Sequence, residues 1–196
     1  YAELCILLDV SYAGTEAVEL AQELMGFIAG EAYGASAGLA EERGPFPNWT
    51  DSIHAVAGRK LRNATLTSIA PTGTISILAG TSSSIEPLFA LAYRRRNVLG
   101  GETLSEFNPL LLKHLEARGL ASSELLSELA RVGRFTGQMD VPEIARKLFV
   151  TALQVAPEHH VLIQAAFQEH VDNAVSKTVN LPNDATPEDV SRLYRL

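Results

Sequence analysis

The sequence has little cysteine, no long apolar run and no excess of basic residues. It contains one cysteine, Cys5, so it cannot form an internal disulfide or a multi-cysteine metal site. No apolar stretch approaches the roughly 20 residues that span a bilayer, and the first residues lack a signal-peptide pattern. With 16 Lys and Arg against 23 Asp and Glu, the net charge of −7 argues against a broad nucleic-acid-binding surface. These absences predict a cytoplasmic protein that binds neither membrane nor nucleic acid.

The composition that remains is typical of a globular protein, but both ends have the pattern of an interrupted helix. Of the 196 residues, 46% are hydrophobic and 20% charged, which is enough for a buried core. The chain opens on an apolar run, 4–8, without a cap. Thr186 and Pro187 are a strong helix start, yet the chain stops at Leu196. We therefore expect a segment of a longer polypeptide.

Hydrophobic periodicity predicts a helix-rich α/β chain. We expect one continuous segment, 1–196, with four stretches: a helical part over 1–62, a strand–turn–helix over 64–93, a second helical part over 102–172, and a strand with the start of a helix over 176–196. Three short apolar runs beside proline are the predicted strands: 64–70, 88–93 and 176–181. Since three strands alone do not make a stable sheet, other parts of the polypeptide would have to complete it.

Within the helical parts, single residues predict caps and inward faces. Ser122 is a candidate N-cap and Gly133 a stop for the helix between them, and Pro157 opens another. A long amphipathic helix over 16–32 is expected to continue towards Leu39. The predicted inward residues are Ala17, Leu20, Ala21, Leu24, Ile28 and Ala32 in that helix, and Val161, Leu162, Ala165 and Ala166 in the helix after Pro157.

The clearest chemical signal is the segment 71–76, Pro-Thr-Gly-Thr-Ile-Ser. A strand that runs into a tight turn and then a helix points several backbone N–H groups, and the positive end of the helix dipole, at one spot. Such a corner binds phosphate. Gly73 lets a ligand approach closely, and the hydroxyls of Thr72, Thr74 and Ser76 can donate hydrogen bonds. The spacing alone leaves open that Thr72 or Thr74 merely caps its own helix.

Other polar groups are weaker candidates. The loop 80–87 either lines a cavity with the corner or is a solvated connection, and Glu86 within it is either a buried acceptor or a loop charge. The run Arg94-Arg95-Arg96 could contact a nucleotide or a partner chain, but alternation in a strand lets only Arg95, or Arg94 with Arg96, point one way. We favour a solvated edge.

Three histidines lie near one another in the sequence, but we expect no metal site. The residues concerned are His159, His160 and His170. Two of them fall near one helix face, but no carboxylate pairing accompanies them. The sequence therefore predicts histidines that serve the structure.

Several blocks of the sequence, taken together and in order, carry a family resemblance. They are 62–66, 68–76, 79–83, 85–87, 164–168 and 172–182. These blocks closely resemble the large subunit of ribonucleotide reductase, in its adenosylcobalamin-dependent form. The resemblance covers nearly the whole chain and is weakest over 98–140.

The resemblance implies a fold, a reaction and a site. The fold is a ten-stranded α/β barrel, of which this chain is an incomplete, C-terminal portion, and the reaction is the radical reduction of a ribonucleotide to a deoxyribonucleotide. The implied phosphate-binding residues are Thr72, Gly73, Thr74, Ile75 and Ser76. Adenosylcobalamin is the implied cofactor. The implied partners are a ribonucleotide substrate, a deoxynucleotide effector bound elsewhere in the full-length chain and a thioredoxin-type reductant, and a homodimer is left open.

Three departures from the family limit what the chain can do alone. The radical cysteine of an Asn-Pro-Cys-Gly-Glu type motif is absent, and Cys5, in an apolar helical context, is predicted to be a small buried hydrophobe. The family's regenerating cysteine pair is missing as well. Ser84 stands where the family usually has glycine, so the second loop would bend differently if that position needs a positive φ. We assign no catalytic residue. The alternative is a non-catalytic remnant or interaction module on the same helical scaffold.

Overall fold

The structure, a computed structural model, describes residues 1–98 and 102–196. Its elements are α1 (Ala2–Leu7), α2 (Thr15–Arg43), α3 (Ile53–Val56), α4 (Gly73–Ala79), β1 (Ala92–Val98), β2 (Glu102–Phe107), α5 (Pro109–Ala117), α6 (Ser123–Val132), α7 (Glu143–Leu148), α8 (Pro157–Gln168) and α9 (Pro187–Leu193), with 3-10 turns at Trp49–Asp51 and Ala152–Gln154. Within these ranges, every helix is too short or too polar to serve as a membrane span.

The long helix α2 confirms the periodicity over 16–32 and its continuation towards Leu39. It ends at Gly44, whose φ of 77° stops the helix. Its buried stripe, however, is spaced by four residues with one gap of seven, and it consists mostly of small residues: Ala17, Ala21, Met25, Ala29, Ser36 and Ala40. Ile28, predicted to face inward, is 43% exposed, since the stripe passes beside it. Small side chains let α2 pack closely against α8.

Of the predicted strands, 64–70 and 176–181 meet only at an isolated parallel bridge, while 88–93 has a bridge at Leu88 and contributes Ala92 and Tyr93 to β1. Ile69 pairs with Val175, which brings the ends of the predicted runs 64–70 and 176–181 together, and Leu88 pairs with Thr151. The Ile69 N–H donates to Ala174 O at 3.1 Å. One bridge gains few hydrogen bonds, so the runs 64–70 and 176–181 do not form the strands that the sequence predicted.

A β-hairpin stands where the sequence analysis placed the end of a strand and the start of a helical part. Strands β1 and β2 pair antiparallel, with Tyr93 opposite Glu106 and Arg94 opposite Ser105. The prediction of helix from residue 102 is therefore wrong for 102–107. The sequence between the strands contains Gly100-Gly101, a dipeptide typical of hairpins, and this signal was missed.

The predicted caps are confirmed. The Ser122 hydroxyl accepts the Leu125 N–H at 3.2 Å at the start of α6, and Gly133, with a φ of 78°, ends that helix. Pro157 opens α8, and Thr186 forms a capping box at the start of α9. Local side-chain chemistry therefore decides these helix ends.

The core is one cluster that joins most of the elements. In α8 the buried residues are His160, Ile163, Ala166 and Phe167. Ala166 is buried as predicted, whereas Leu162 is 51% exposed and Ala165 is exposed, so the prediction for this face is wrong at these two positions. Cys5 is completely buried, as predicted, and burial raises the pKa of its thiol.

Candidate functional site

The corner at the start of α4 has backbone donors without partners. Thr72 adopts a left-handed conformation, with a φ of 54°, and Gly73 begins the helix. Ser76 is the first residue of the turn whose N–H is bonded, to Thr72 O at 2.9 Å. The N–H groups of Gly73, Thr74 and Ile75 have no acceptor among the described residues. Consecutive N–H groups of this kind form a concavity suited to an anion.

The side chains of the corner do not cap the helix. The Thr72 hydroxyl oxygen accepts the Ser84 N–H at 2.9 Å and makes no cap bond. The Ser76 hydroxyl donates to Gly73 O at 2.8 Å and lies 2.9 Å from the Ser83 hydroxyl, so its proton is already in use. Thr74 is exposed, and its hydroxyl has no partner in the described part of the chain. The cap alternative therefore fails for the side chain of Thr72, and the backbone supplies most of the free donors.

A cavity of about 530 Å³ joins this corner to the second loop. Its lining includes Gly73, Ser76, the loop residues Thr81–Ser83, and Arg94 and Arg95 of β1. The second loop is therefore part of a cavity wall. We name residues 81–86 the serine loop.

The arginines of β1 lie partly at this cavity and partly in solvent. The Arg95 guanidinium forms an ion pair with Glu106 at 2.9 Å, and its side chain is 64% exposed. The solvated edge expected from the sequence therefore agrees with the exposure of Arg95, while the cavity also places cationic groups near the corner. The side chain of Arg96 lies outside the part that the structure describes.

A carboxylate that the sequence analysis missed holds one end of the serine loop. One oxygen of Glu3, on α1, accepts the Thr81 hydroxyl at 2.6 Å and the Ser82 N–H at 3.1 Å. The other oxygen accepts from Asn108 Nδ2 at 2.9 Å. Glu3 therefore ties the serine loop to α1 and to the start of α5.

The far end of the serine loop has an unusual backbone. Ser84 has a φ of 45°, in the left-handed region that glycine adopts most easily. This position therefore has the positive φ that glycine favours, although the residue is serine. The Ile85 carbonyl accepts the Tyr12 hydroxyl at 2.7 Å, which anchors the loop to the core.

A buried ion pair follows directly. Lys177 Nζ lies 2.6 Å from Glu86 Oε2, and the Lys177 side chain is 0% exposed. The other oxygen of Glu86 accepts the Thr178 N–H at 2.7 Å. Of the two alternatives for Glu86, a buried acceptor or a loop charge, the structure shows the buried acceptor. Burial lowers the pKa of Lys177, and the Glu86 carboxylate opposes that effect.

One of the three histidines, His160, completes this cluster. His160 Nδ1 lies 2.9 Å from Lys177 Nζ, and its Nε2 lies 3.1 Å from Ala152 O. Burial, with the neighbouring Lys177 charge, lowers the pKa of His160 to about 4, so the ring is neutral near pH 7. His159 Nε2 lies 2.6 Å from Tyr12 O. No group of three or more metal-ligating side chains occurs among the described residues.

Comparison with known proteins decides the family. The profile described as "Ribonucleotide reductase, barrel domain" matches residues 1–59 and 53–196. The chain belongs to this family. The reductase from Thermoplasma acidophilum, named a vitamin B12-dependent ribonucleoside-diphosphate reductase, is 47% identical over 100% of this chain. A Mycobacterium tuberculosis protein of the same name is 48% identical over 98% of the chain.

The match covers only part of each reductase. The chain spans 25% of the Thermoplasma acidophilum relative and 28% of the Mycobacterium tuberculosis relative. Among solved structures, the "Actinobacillus ureae class Id ribonucleotide reductase alpha subunit" matches 99% of the chain and 34% of its own length, with a TM-score of 0.80 and 21% identity. That likeness shows the fold alone: a helix-rich part of a reductase alpha subunit.

Proposed function

We propose that this chain is the C-terminal part of the ten-stranded catalytic barrel of an adenosylcobalamin-dependent ribonucleotide reductase. Its own task is to bind the phosphates of the ribonucleotide substrate at Thr72, Gly73, Thr74, Ile75 and Ser76. The observation that carries this proposal is the row of backbone N–H groups without acceptors, at Gly73, Thr74 and Ile75.

The surroundings suit an anion. The cavity beside Gly73 contains serine-loop hydroxyls and the guanidinium-bearing residues Arg94 and Arg95. Charge-assisted hydrogen bonds to a phosphate are stronger than those between neutral groups. A nucleoside diphosphate that moves from water into this corner would therefore replace its hydrogen bonds to water with hydrogen bonds to these donors.

The radical chemistry belongs to residues outside this chain. Cys5 is completely buried and burial raises its pKa, so it is a poor candidate for a reactive thiol. We infer that Cys5 serves packing and that ribonucleotides are converted to deoxyribonucleotides by groups supplied elsewhere in the reductase.

Of the histidines, His160 has both ring nitrogens in hydrogen bonds, to Ala152 O and to Lys177 Nζ, and is therefore not free as a metal ligand. The proposal of adenosylcobalamin rests on the named relatives. A thioredoxin-type reductant, an effector nucleotide elsewhere in the full chain, a homodimer and a cytoplasmic location are proposed on the family resemblance and composition alone.

The test uses the backbone donor of Thr74 in the complete reductase chain that contains these residues. Thr74→Pro removes one N–H, and the first helical turn tolerates proline. Loss of one charge-assisted hydrogen bond is expected to raise the Kd for a ribonucleoside diphosphate about 10- to 100-fold. Thr74→Ala is the matched control, because it removes the hydroxyl and keeps the N–H. An unchanged Kd in Thr74→Pro, measured by equilibrium binding, would show that the corner is not the phosphate site.

A further inference from the structure

Lys177 is a buried cation to which the proposed function gives no task. Its ammonium group is completely used: it lies 2.6 Å from Glu86 Oε2, 2.6 Å from Thr178 O and 2.9 Å from His160 Nδ1. A buried ion pair is seldom the most stable solution, because both charges lose their hydration. Stability alone is therefore a weak explanation for this pair.

A continuous set of hydrogen bonds runs from this pair to the corner. The Glu86 N–H donates to Ser83 O at 3.0 Å, and the Ser83 hydroxyl lies 2.9 Å from the Ser76 hydroxyl. The Ser84 N–H reaches the Thr72 hydroxyl oxygen at 2.9 Å. Both ends of the first turn of α4 are thus bonded to the serine loop.

The serine loop needs external support to keep this shape. Ser84 has a φ of 45°, a conformation that costs a serine energy. Glu3 holds the loop at Thr81, and Glu86 holds it at the opposite end. A loop held at both ends in a strained conformation presents its bonding groups in one geometry.

We infer that Lys177, through its ion pair with Glu86, is a positioning residue for the proposed phosphate site. The pair fixes the serine loop, and the loop fixes Thr72 and Ser76 at the start of α4. This inference rests on the proposed function of that corner. Lys177 itself does not touch the phosphate.

The decisive variant is the double substitution Lys177→Met with Glu86→Gln, made in the complete reductase chain. It removes both charges, so no buried charge is left unpaired, and the introduced glutamine amide oxygen can still accept the Thr178 N–H. A loosened corner binds ground state and transition state less well by the same factor. We therefore expect the KM for a ribonucleoside diphosphate to rise roughly tenfold while kcat stays within about twofold.

Glu86→Gln alone is the second variant if the double variant fails to fold. It is isosteric and keeps an oxygen for Thr178, and the same rise of KM is expected. An unchanged KM in whichever of these variants folds would overturn the inference.

The control is the exposed pair Glu128 and Arg131, 2.6 Å apart on α6. Replacing both with glutamine also removes one charge of each sign, and KM is expected to stay unchanged. A similar rise of KM in this control would mean that the effect is not specific to the buried pair, and would count against the inference.

A mutant cycle tests whether the effect travels through the loop. Thr72→Val removes the oxygen that accepts the Ser84 N–H. If the ion pair acts through that contact, the effects on KM of Thr72→Val and of the double variant are less than additive when combined. Full additivity would refute the route through the serine loop.

The Thr74→Pro variant separates the two levels of the argument. If it weakens substrate binding and the double variant does not, Lys177 is not a positioning residue and the phosphate corner stands. If Thr74→Pro has no effect, the phosphate corner fails, and the inference fails with it.

Discussion

The corner at 72–76 and the buried cluster of Glu86, Lys177 and His160 lie at two ends of one hydrogen-bonded loop, and they differ in what they leave unbonded. The corner has backbone N–H groups without acceptors beside a cavity. In the cluster, the described donors and acceptors meet one another inside the protein. Unbonded donors beside a cavity are available to a ligand, whereas donors and acceptors bonded to one another in the interior support the structure.

The largest effect on stability is expected from Lys177→Met alone. It leaves Glu86 buried without a cation, which costs about 3–5 kcal/mol of the free energy of unfolding. The matched change Arg131→Met, in a pair with side chains 64% and 36% exposed, is expected to cost no more than about 1 kcal/mol. Urea unfolding of the two variants measures both losses. Equal losses of unfolding free energy would contradict the difference between the buried pair and the exposed pair.

A pair of isoleucines compares the same two regions by packing. Ile163 on α8 is 0% exposed, so Ile163→Ala is expected to cost about 2–5 kcal/mol. Ile77 on α4 is 78% exposed, so Ile77→Ala is expected to change the unfolding free energy by less than about 0.5 kcal/mol. Thermal or urea unfolding measures both. A large loss of unfolding free energy in Ile77→Ala would contradict the exposure of Ile77 on α4.

The cluster also predicts a pH dependence. Burial and the Lys177 charge lower the pKa of His160 to about 4, while the unfolded chain protonates this ring near pH 6.5. The unfolded state therefore binds more protons between these values, and stability is expected to fall as the pH is lowered from about 6.5 to about 4. Burial also lowers the pKa of His159, which acts in the same direction.

His160→Gln should therefore reduce this slope without abolishing it. Urea midpoints at several pH values measure the slope for both proteins. A slope identical in the two would mean that His160 is not the titrating group.

A small effect of the opposite sign is expected at Ser84, which joins the two regions. Ser84→Gly relieves the left-handed conformation, worth about 1–2 kcal/mol, but glycine loses about 0.5–1 kcal/mol through added freedom in the unfolded chain. A net gain of up to about 1.5 kcal/mol is expected, and Ser84→Ala, which keeps the strain, is the control. The measurement is the melting temperature of each variant. A lower melting temperature for Ser84→Gly than for Ser84→Ala would contradict a strained backbone at Ser84.

The features that were predictable from sequence are local. Helix ends are determined by bonds within a few residues, as at Ser122, Gly133 and Thr186. The pattern of 71–76 likewise indicates a turn that leads into a helix, and α4 begins there. The hairpin could also have been predicted, because Gly100-Gly101 lies between two runs that favour strands.

The supports of the site were not predictable, because they join distant residues. Lys177 and Glu86 are 91 positions apart, and Glu3 and Thr81 are 78 apart. No periodicity or spacing links such pairs. The face of α8 was wrong for a related reason, since His160 is buried by its bonds to Lys177 and Ala152, contacts that hydrophobicity does not record.

The most direct test is a structure of the complete reductase chain with a ribonucleoside diphosphate bound. The account predicts phosphate oxygens within about 2.7–3.2 Å of the N–H groups of Gly73, Thr74 or Ile75. It also predicts the serine loop in place, with Lys177 on Glu86. A diphosphate bound elsewhere, with these N–H groups bonded to another part of the reductase, would contradict it.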